Sequence, residues 1–94
     1  MNELNKQSIL SMSKHAHDWT EHTYQQHPAV RGGEGWADKQ RVLLADMALH
    51  LLQTALRDGE LSEEMLKRNL YAILTISDQF IEGQDLKSMA DALY

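Results

Sequence analysis

The run VLLADMALHLLQTAL, Val42 to Leu56, is broken by only four polar residues, Asp46, His50, Gln53 and Thr54. Read as a helix, it carries two apolar stripes. One is Leu44, Met47, Ala48, Leu51 and Ala55. The other is Val42, Ala45, Leu49, Leu52 and Leu56, spaced 3-4-3-4 like the a and d positions of a heptad. The polar remainder is a narrow strip of Lys39, Asp46, His50, Gln53 and Arg57. A helix apolar around so much of its circumference has to be covered nearly all round. Other helices of the chain can supply that cover, or a second copy of the chain can supply part of it.

The rest of the chain reads as helix as well. Ile9, Met12, Ala16, Trp19 and Thr23 recur on one face of a first helix running from about Glu3 to Gln26. Pro28 pushes His27 out of the helical region and ends it. HPAVRGGEG is then a loop, holding three of the five glycines and the sole proline. The second helix spans about Trp36 to Arg57. Gly59 is expected as its left-handed C′ residue. Ser62 is expected to cap a third helix, with Glu63 and Glu64 complementing the dipole and Leu61 stapled to Leu66. That helix is expected to reach Glu82, to bury Leu66, Leu70, Ile73, Leu74, Ser77, Phe80 and Ile81, and to stop at Gly83. Asp85 can cap a short last helix with Leu86, Met89, Ala90 and Leu93 on one face. The expectation is an all-α fold: residues 1–94 as a single four-helix domain, three longer helices plus a short C-terminal one, with the second helix carrying the core.

Composition narrows the function classes. Apolar residues make up 43% and charged residues 24% of the 94, an ordinary globular balance. Nine Lys and Arg stand against fourteen Asp and Glu, for a formal charge of -5. That is a poor footprint for neutralising phosphates, so nucleic acid is not an expected partner. The absence of cysteine removes disulfides, thiolate nucleophiles and zinc fingers. No apolar run approaches the length of a membrane span, and the start MNELNKQSIL has no apolar signal-type core. No membrane association is expected, and a cytoplasmic location is.

Four of the five histidines fall in KHAHDWTEHTYQQHP, Lys14 to Pro28. Helical metal ligands normally sit three or four residues apart, and no two of His15, His17, His22 and His27 do. His15, Asp18 and His22 share a face, but His15 and His22 are about 10 Å apart along the axis. Asp46 and His50, at i and i+4 on the second helix, could complete such a site between two helices. His15, Asp18, His22, Asp46 and His50 are therefore the candidate metal ligands. The competing expectation is that no metal or cofactor is bound. His15 and His22 would then flank the core-facing stripe, and His17 would lie with Tyr24 on the wet side.

Other motifs carry less. RGGEGW lacks the preceding strand and terminal Gly-Lys-Ser/Thr of a phosphate loop. Ala55 and Gly59 have the spacing of a helix-turn-helix. Thr54, Asp58, Glu60 and Arg68 occupy its apolar positions, however, and Ser62-Glu63-Glu64 would meet phosphate with negative charge. LLADMALHLLQTALRDGELSEEMLKRNL, residues 43 to 70, resembles in texture the second half of MazG-type nucleotide pyrophosphohydrolases. That resemblance would imply Mg²⁺-dependent hydrolysis. Leu43 stands where the family has a glutamate, and the upstream glutamate pair is missing, so nothing holds the ion. Residues 52 to 81 resemble AriR-type biofilm regulators in apolar spacing around one glycine, a pattern that helical hairpins share.

No catalytic constellation is present in the sequence, and an enzyme is not expected. The expected function is that of a small bacterial-type or phage-type regulator or adaptor, acting through contact with itself as a homodimer and with a protein partner that the sequence does not identify. Val42, Leu49, Leu52 and Leu56 are the expected interaction residues, with Trp36 and Tyr94 as possible aromatic anchors. A metal-binding His/carboxylate bundle is the first alternative. A degenerate pyrophosphohydrolase-like or DNA-binding regulator is the second.

Overall fold

Asn2 begins the structure: its side chain accepts the Asn5 N–H at 2.8 Å and starts α1, Glu3–Gln26. The computed structural model describes all residues from Met1 to Tyr94 and contains helices and turns only. α1 ends where Pro28 requires, with His27 extended at ψ 121°. α2 is Trp36–Leu56, α3 is Glu63–Ser77 and α4 is Leu86–Asp91. Ser62 caps α3 by accepting the Met65 N–H at 3.2 Å. Asp85 caps α4, at φ 49° and ψ 53°.

Several boundaries differ from the sequence reading. Gly59 has φ +88° as expected, but Arg57 is the C-cap of α2, so Gly59 lies one place beyond C′. Leu61 is exposed and does not staple α3. α3 stops at Ser77, five residues before the expected Glu82. There the bonding tightens to i→i−3, with Gln79 N–H to Ile76 and Phe80 N–H to Ser77. Gln79 donates to Gln40 on α2 at 2.9 Å, and Asp78 accepts the backbone N–H of Lys87 at 3.3 Å. These bonds turn the chain toward α4 and leave Phe80 and Ile81 43% and 48% exposed. Met89 is also exposed, whereas Ala90 is fully buried against α3.

The loop between α1 and α2 is organised by His27. Its Nδ1 accepts the Ala29 N–H at 3.2 Å, and its Nε2 lies 3.0 Å from Asp38 in the first turn of α2. Gly35 is the N-cap of α2 at φ +79°, and a Cβ there would stand 3.2 Å from His27 Cε1. At the other end of α1, Lys6 bonds Asp58 at 2.6 Å. That hydrogen bond holds the Asp58 carboxyl below its ordinary range and raises Lys6.

Packing is sequential: α1 lies on α2, α2 on α3, α3 on α4, and α1 does not touch α3. The molecule is flat, 44 × 32 × 16 Å. Its radius of gyration is 14.9 Å, where about 12 Å is usual for this length. Only eight residues are buried, and five of them are polar: Ser13, Gln40, Asp46, Thr54 and Asn69. The buried apolar residues are Ala29, Ile76 and Ala90. This corrects the expectation that the second helix carries the core. α2 is central in the packing, but its buried residues are Gln40, Asp46 and Thr54, and its apolar stripes are only half covered.

Two substitutions probe these contacts. Gly35→Ala forces a left-handed alanine against the His27 ring and should lower stability by about 1–2 kcal/mol, read from urea unfolding. Thr75 Oγ1 is buried in α3 without a hydrogen-bond partner. Thr75→Val keeps the shape and should raise stability by about 1 kcal/mol, seen as a rise of several degrees in the melting temperature.

Candidate functional site

The α1–α2 contact is made by polar stripes. On α1 the contact residues are Ser13, His17, Thr20 and Tyr24, spaced 4-3-4 along one face. On α2 they include Lys39, Asp46 and His50, the narrow polar strip of that helix. Lys39 lies 4.9 Å over the Tyr24 ring, Thr20 donates to Asp46 at 2.5 Å, and the His17 and His50 rings meet edge to face at 4.5 Å. His17 and Tyr24 thus face α2 and not solvent, contrary to the sequence reading. The stripe read as core-facing, Ile9, Met12, Ala16, Trp19 and Thr23, lies about 100° around α1 from this contact. Met12 and Trp19 on it are each 73% exposed.

Turning the polar strips inward leaves two open clefts along the α1–α2 groove, the first mainly apolar and the second mixed with Thr20, Thr23, Asp38 and Arg41. Its lower part is a 340 Å³ cleft lined by Ile9, Met12, Ser13, Ala16, Leu49 and Leu52. Its upper part is a 430 Å³ cleft formed by Trp19, Thr20, Thr23, Asp38, Arg41, Val42 and Ala45. The 3-4-3-4 stripe of α2 therefore lines the open groove through Val42, Ala45, Leu49 and Leu52. Leu56 continues the stripe and is half-buried. Trp36, the first residue of α2, is half-buried as well. Tyr94 is exposed at the far end of the molecule, its ring 5.7 Å from that of Tyr71. It is not continuous with the groove.

The second feature lies inside the α1–α2 contact. His17, Asp46 and His50 bring one ligand-type atom each within 4.8 Å of one another. The two Nε2 atoms are 2.8 Å apart. Asp46 Oδ1 is 3.4 Å from His17 Nε2, and Oδ2 is 3.5 Å from His50 Nε2. The Asp46 side chain is 8% exposed, His17 20% and His50 41%. Glu21 approaches His17 Nδ1 to 3.6 Å and Asp18 to 4.0 Å. Of the five candidate ligands read from the sequence, Asp46 and His50 are in this cluster. His15, Asp18 and His22 are exposed and outside it, because the face of α1 they share is turned away from α2. His17 was missed. A search along one helix looks for i, i+4 pairs, whereas this triad joins an i, i+4 pair on α2 to one residue on α1. The findable signal was that Asp46 and His50 are the polar residues of an otherwise apolar run.

Thr20 gives the Asp46 carboxyl its single short hydrogen bond. Thr20→Val should cost about 1–3 kcal/mol by leaving a buried acceptor unsatisfied, measured by chemical unfolding. Compared with known proteins, the chain matches no protein-family model, no curated protein and no solved structure.

Proposed function

We propose that this protein is a cytoplasmic, self-associating adaptor or regulator that works by protein–protein contact and not by catalysis. The occupant of its open apolar face is a second copy of the same chain. The observation that carries this reading is area. The chain exposes 6,704 Å², where a compact monomer of its mass, 10.8 kDa, exposes about 5,500 Å². The surplus of about 1,200 Å² is at least what one protomer contributes to a stable interface, about 800 Å². Met12, Trp19, Val42, Leu49 and Leu52 line the open clefts of the groove.

A second copy fits better than an unrelated partner for two reasons. Helical domains close a core by covering one layer with another, and here the chain has no helix to spare: α3 and α4 lie on the far side of α2 from α1 or beyond it. A two-fold related copy would present the same groove, so each Trp19 and Met12 would enter the cleft beside the other chain's Leu49 and Leu52, the self-complementary arrangement of an isologous dimer. The 3-4 spacing of Val42, Ala45, Leu49 and Leu52 suits knobs-into-holes packing across such an axis. With the apolar face closed in this way, the acidic remainder of the surface is left to meet other proteins. The net charge of -5 weighs against nucleic acid as that partner. No helix is long and apolar enough to cross a membrane.

Sedimentation equilibrium tests the reading. The wild-type chain should run as a dimer at micromolar concentration. Met12→Glu and Leu49→Asp should each give monomers that keep their far-ultraviolet helical signal. Met12 makes little contact within the chain, so its replacement separates assembly from folding. A wild-type chain that stays monomeric up to about 100 μM, well above the micromolar range of ordinary specific interfaces, would end the proposal.

A further inference from the structure

We infer that His17, Asp46 and His50 form a binding site for a first-row divalent transition ion, of the kind represented by Zn²⁺ or Co²⁺. The reasoning starts from the hydrogen-bond inventory. Two imidazole Nε2 atoms 2.8 Å apart can share one proton, so one donates and the other accepts. The carboxyl beside them is buried and receives one short hydrogen bond, from Thr20. Its distances to the two rings, 3.4 and 3.5 Å, are long for hydrogen bonds. The cluster has more lone pairs than donors, gathered within 4.8 Å of one another.

A cation among these atoms would resolve the mismatch, and their spacing approaches that of a bound ion's ligands. With metal–ligand bonds of about 2.0–2.1 Å, neighbouring ligand atoms stand about 2.9 Å apart at right angles and about 3.4 Å apart in a tetrahedron. The two Nε2 atoms stand 2.8 Å apart, Asp46 presents Oδ1 to His17 at 3.4 Å and Oδ2 to His50 at 3.5 Å, and one ligand atom from each residue lies within 4.8 Å of the other two, close to the size of a three-ligand site. Two imidazoles and one carboxylate are a donor set for zinc, or for other first-row ions with open positions, and not for magnesium or calcium. The outer contacts also fit. Thr20 fixes one carboxylate oxygen, and Glu21 adds negative charge 3.6 Å from the outward Nδ1 of His17, beyond hydrogen-bond reach. An open cleft of 380 Å³ beside His17, lined by Leu10, Lys14, Asp18, Gln53 and Arg57, gives access from solvent. Lys14 and Arg57 there are offset by Asp18, Glu21 and Asp46.

All three ligands come from one chain, so the site does not depend on self-association, and either proposal can fail alone. The test uses the full-length wild-type protein and the metal itself. Titration with Co²⁺ should saturate at one ion per chain and develop visible d–d bands, which excess Zn²⁺ should bleach. In histidine-ring NMR spectra of the wild type, Zn²⁺ should shift the His17 and His50 signals and leave His15, His22 and His27 in place. His50→Gln, at the most exposed of the three ligands, should abolish the bands. Thr20→Val, at a positioning residue, should weaken binding about tenfold or more. The paired substitution of His15→Gln and His22→Gln should change neither property. No saturable Co²⁺ spectrum, ring shifts centred on His15 or His22, or bands that survive His50→Gln would each overturn the site.

Discussion

The structure depends on the burial of Asp46 between α1 and α2. An acidic side chain inside a contact has to find polar partners there, because leaving it unmet costs several kcal/mol. Thr20, His17 and His50 are those partners, and they fix which side of α1 meets α2. Once the polar strips face each other, the greasy stripes of both helices cannot. Ile9, Met12, Ala16 and Trp19 on one helix, with Val42, Leu49 and Leu52 on the other, are left side by side on a common outer face. The open apolar groove and the buried polar cluster are therefore two consequences of one rotation of α1 about its axis.

Rotating α1 by roughly a quarter turn would bury Met12 and Trp19 on α2 and place the histidines in water, which a monomer governed by apolar area alone would prefer. A sequence that keeps the polar contact gains little from folding by itself: its buried apolar residues are Ala29, Ile76 and Ala90, and no large side chain is fully enclosed. Covering the groove with a second copy, as proposed, would add the apolar burial that the single chain lacks. This is the physical content of proposing a second copy: assembly would add stability to a fold that the single chain already adopts.

Local signals in the sequence were read correctly where the physics is local. Pro28 ending α1, Ser62 and Asp85 as caps, and the positive φ of Gly59 depend on neighbours a few residues away. α3 was read five residues too long because its apolar period continues through Phe80 and Ile81. Gln79 reaching Gln40 and Asp78 reaching Lys87 are what break it, and those partners are distant in sequence. The sequence reading of the α1 stripe as apolar and core-facing gets its composition right and its burial wrong, Met12 and Trp19 each being 73% exposed. Periodicity states that a face is apolar and does not state what covers it. His17 escaped for the same reason. Its role depends on Asp46 and His50, about thirty positions along, and on a helix rotation set by Thr20.

The flat packing gives α1 a particular position in this molecule. It is held by α2 alone, with Lys6–Asp58 and the His27 loop as its end ties. Half of the outer groove belongs to it. Any change in how firmly the polar cluster grips α1 therefore changes whether Met12 and Trp19 stand in register with Leu49 and Leu52. An ion joining His17 to Asp46 and His50 would bridge the two helices at the middle of their contact, where a fixed distance constrains the rotation of α1 most. The cluster and the groove share α1 as a common rigid element.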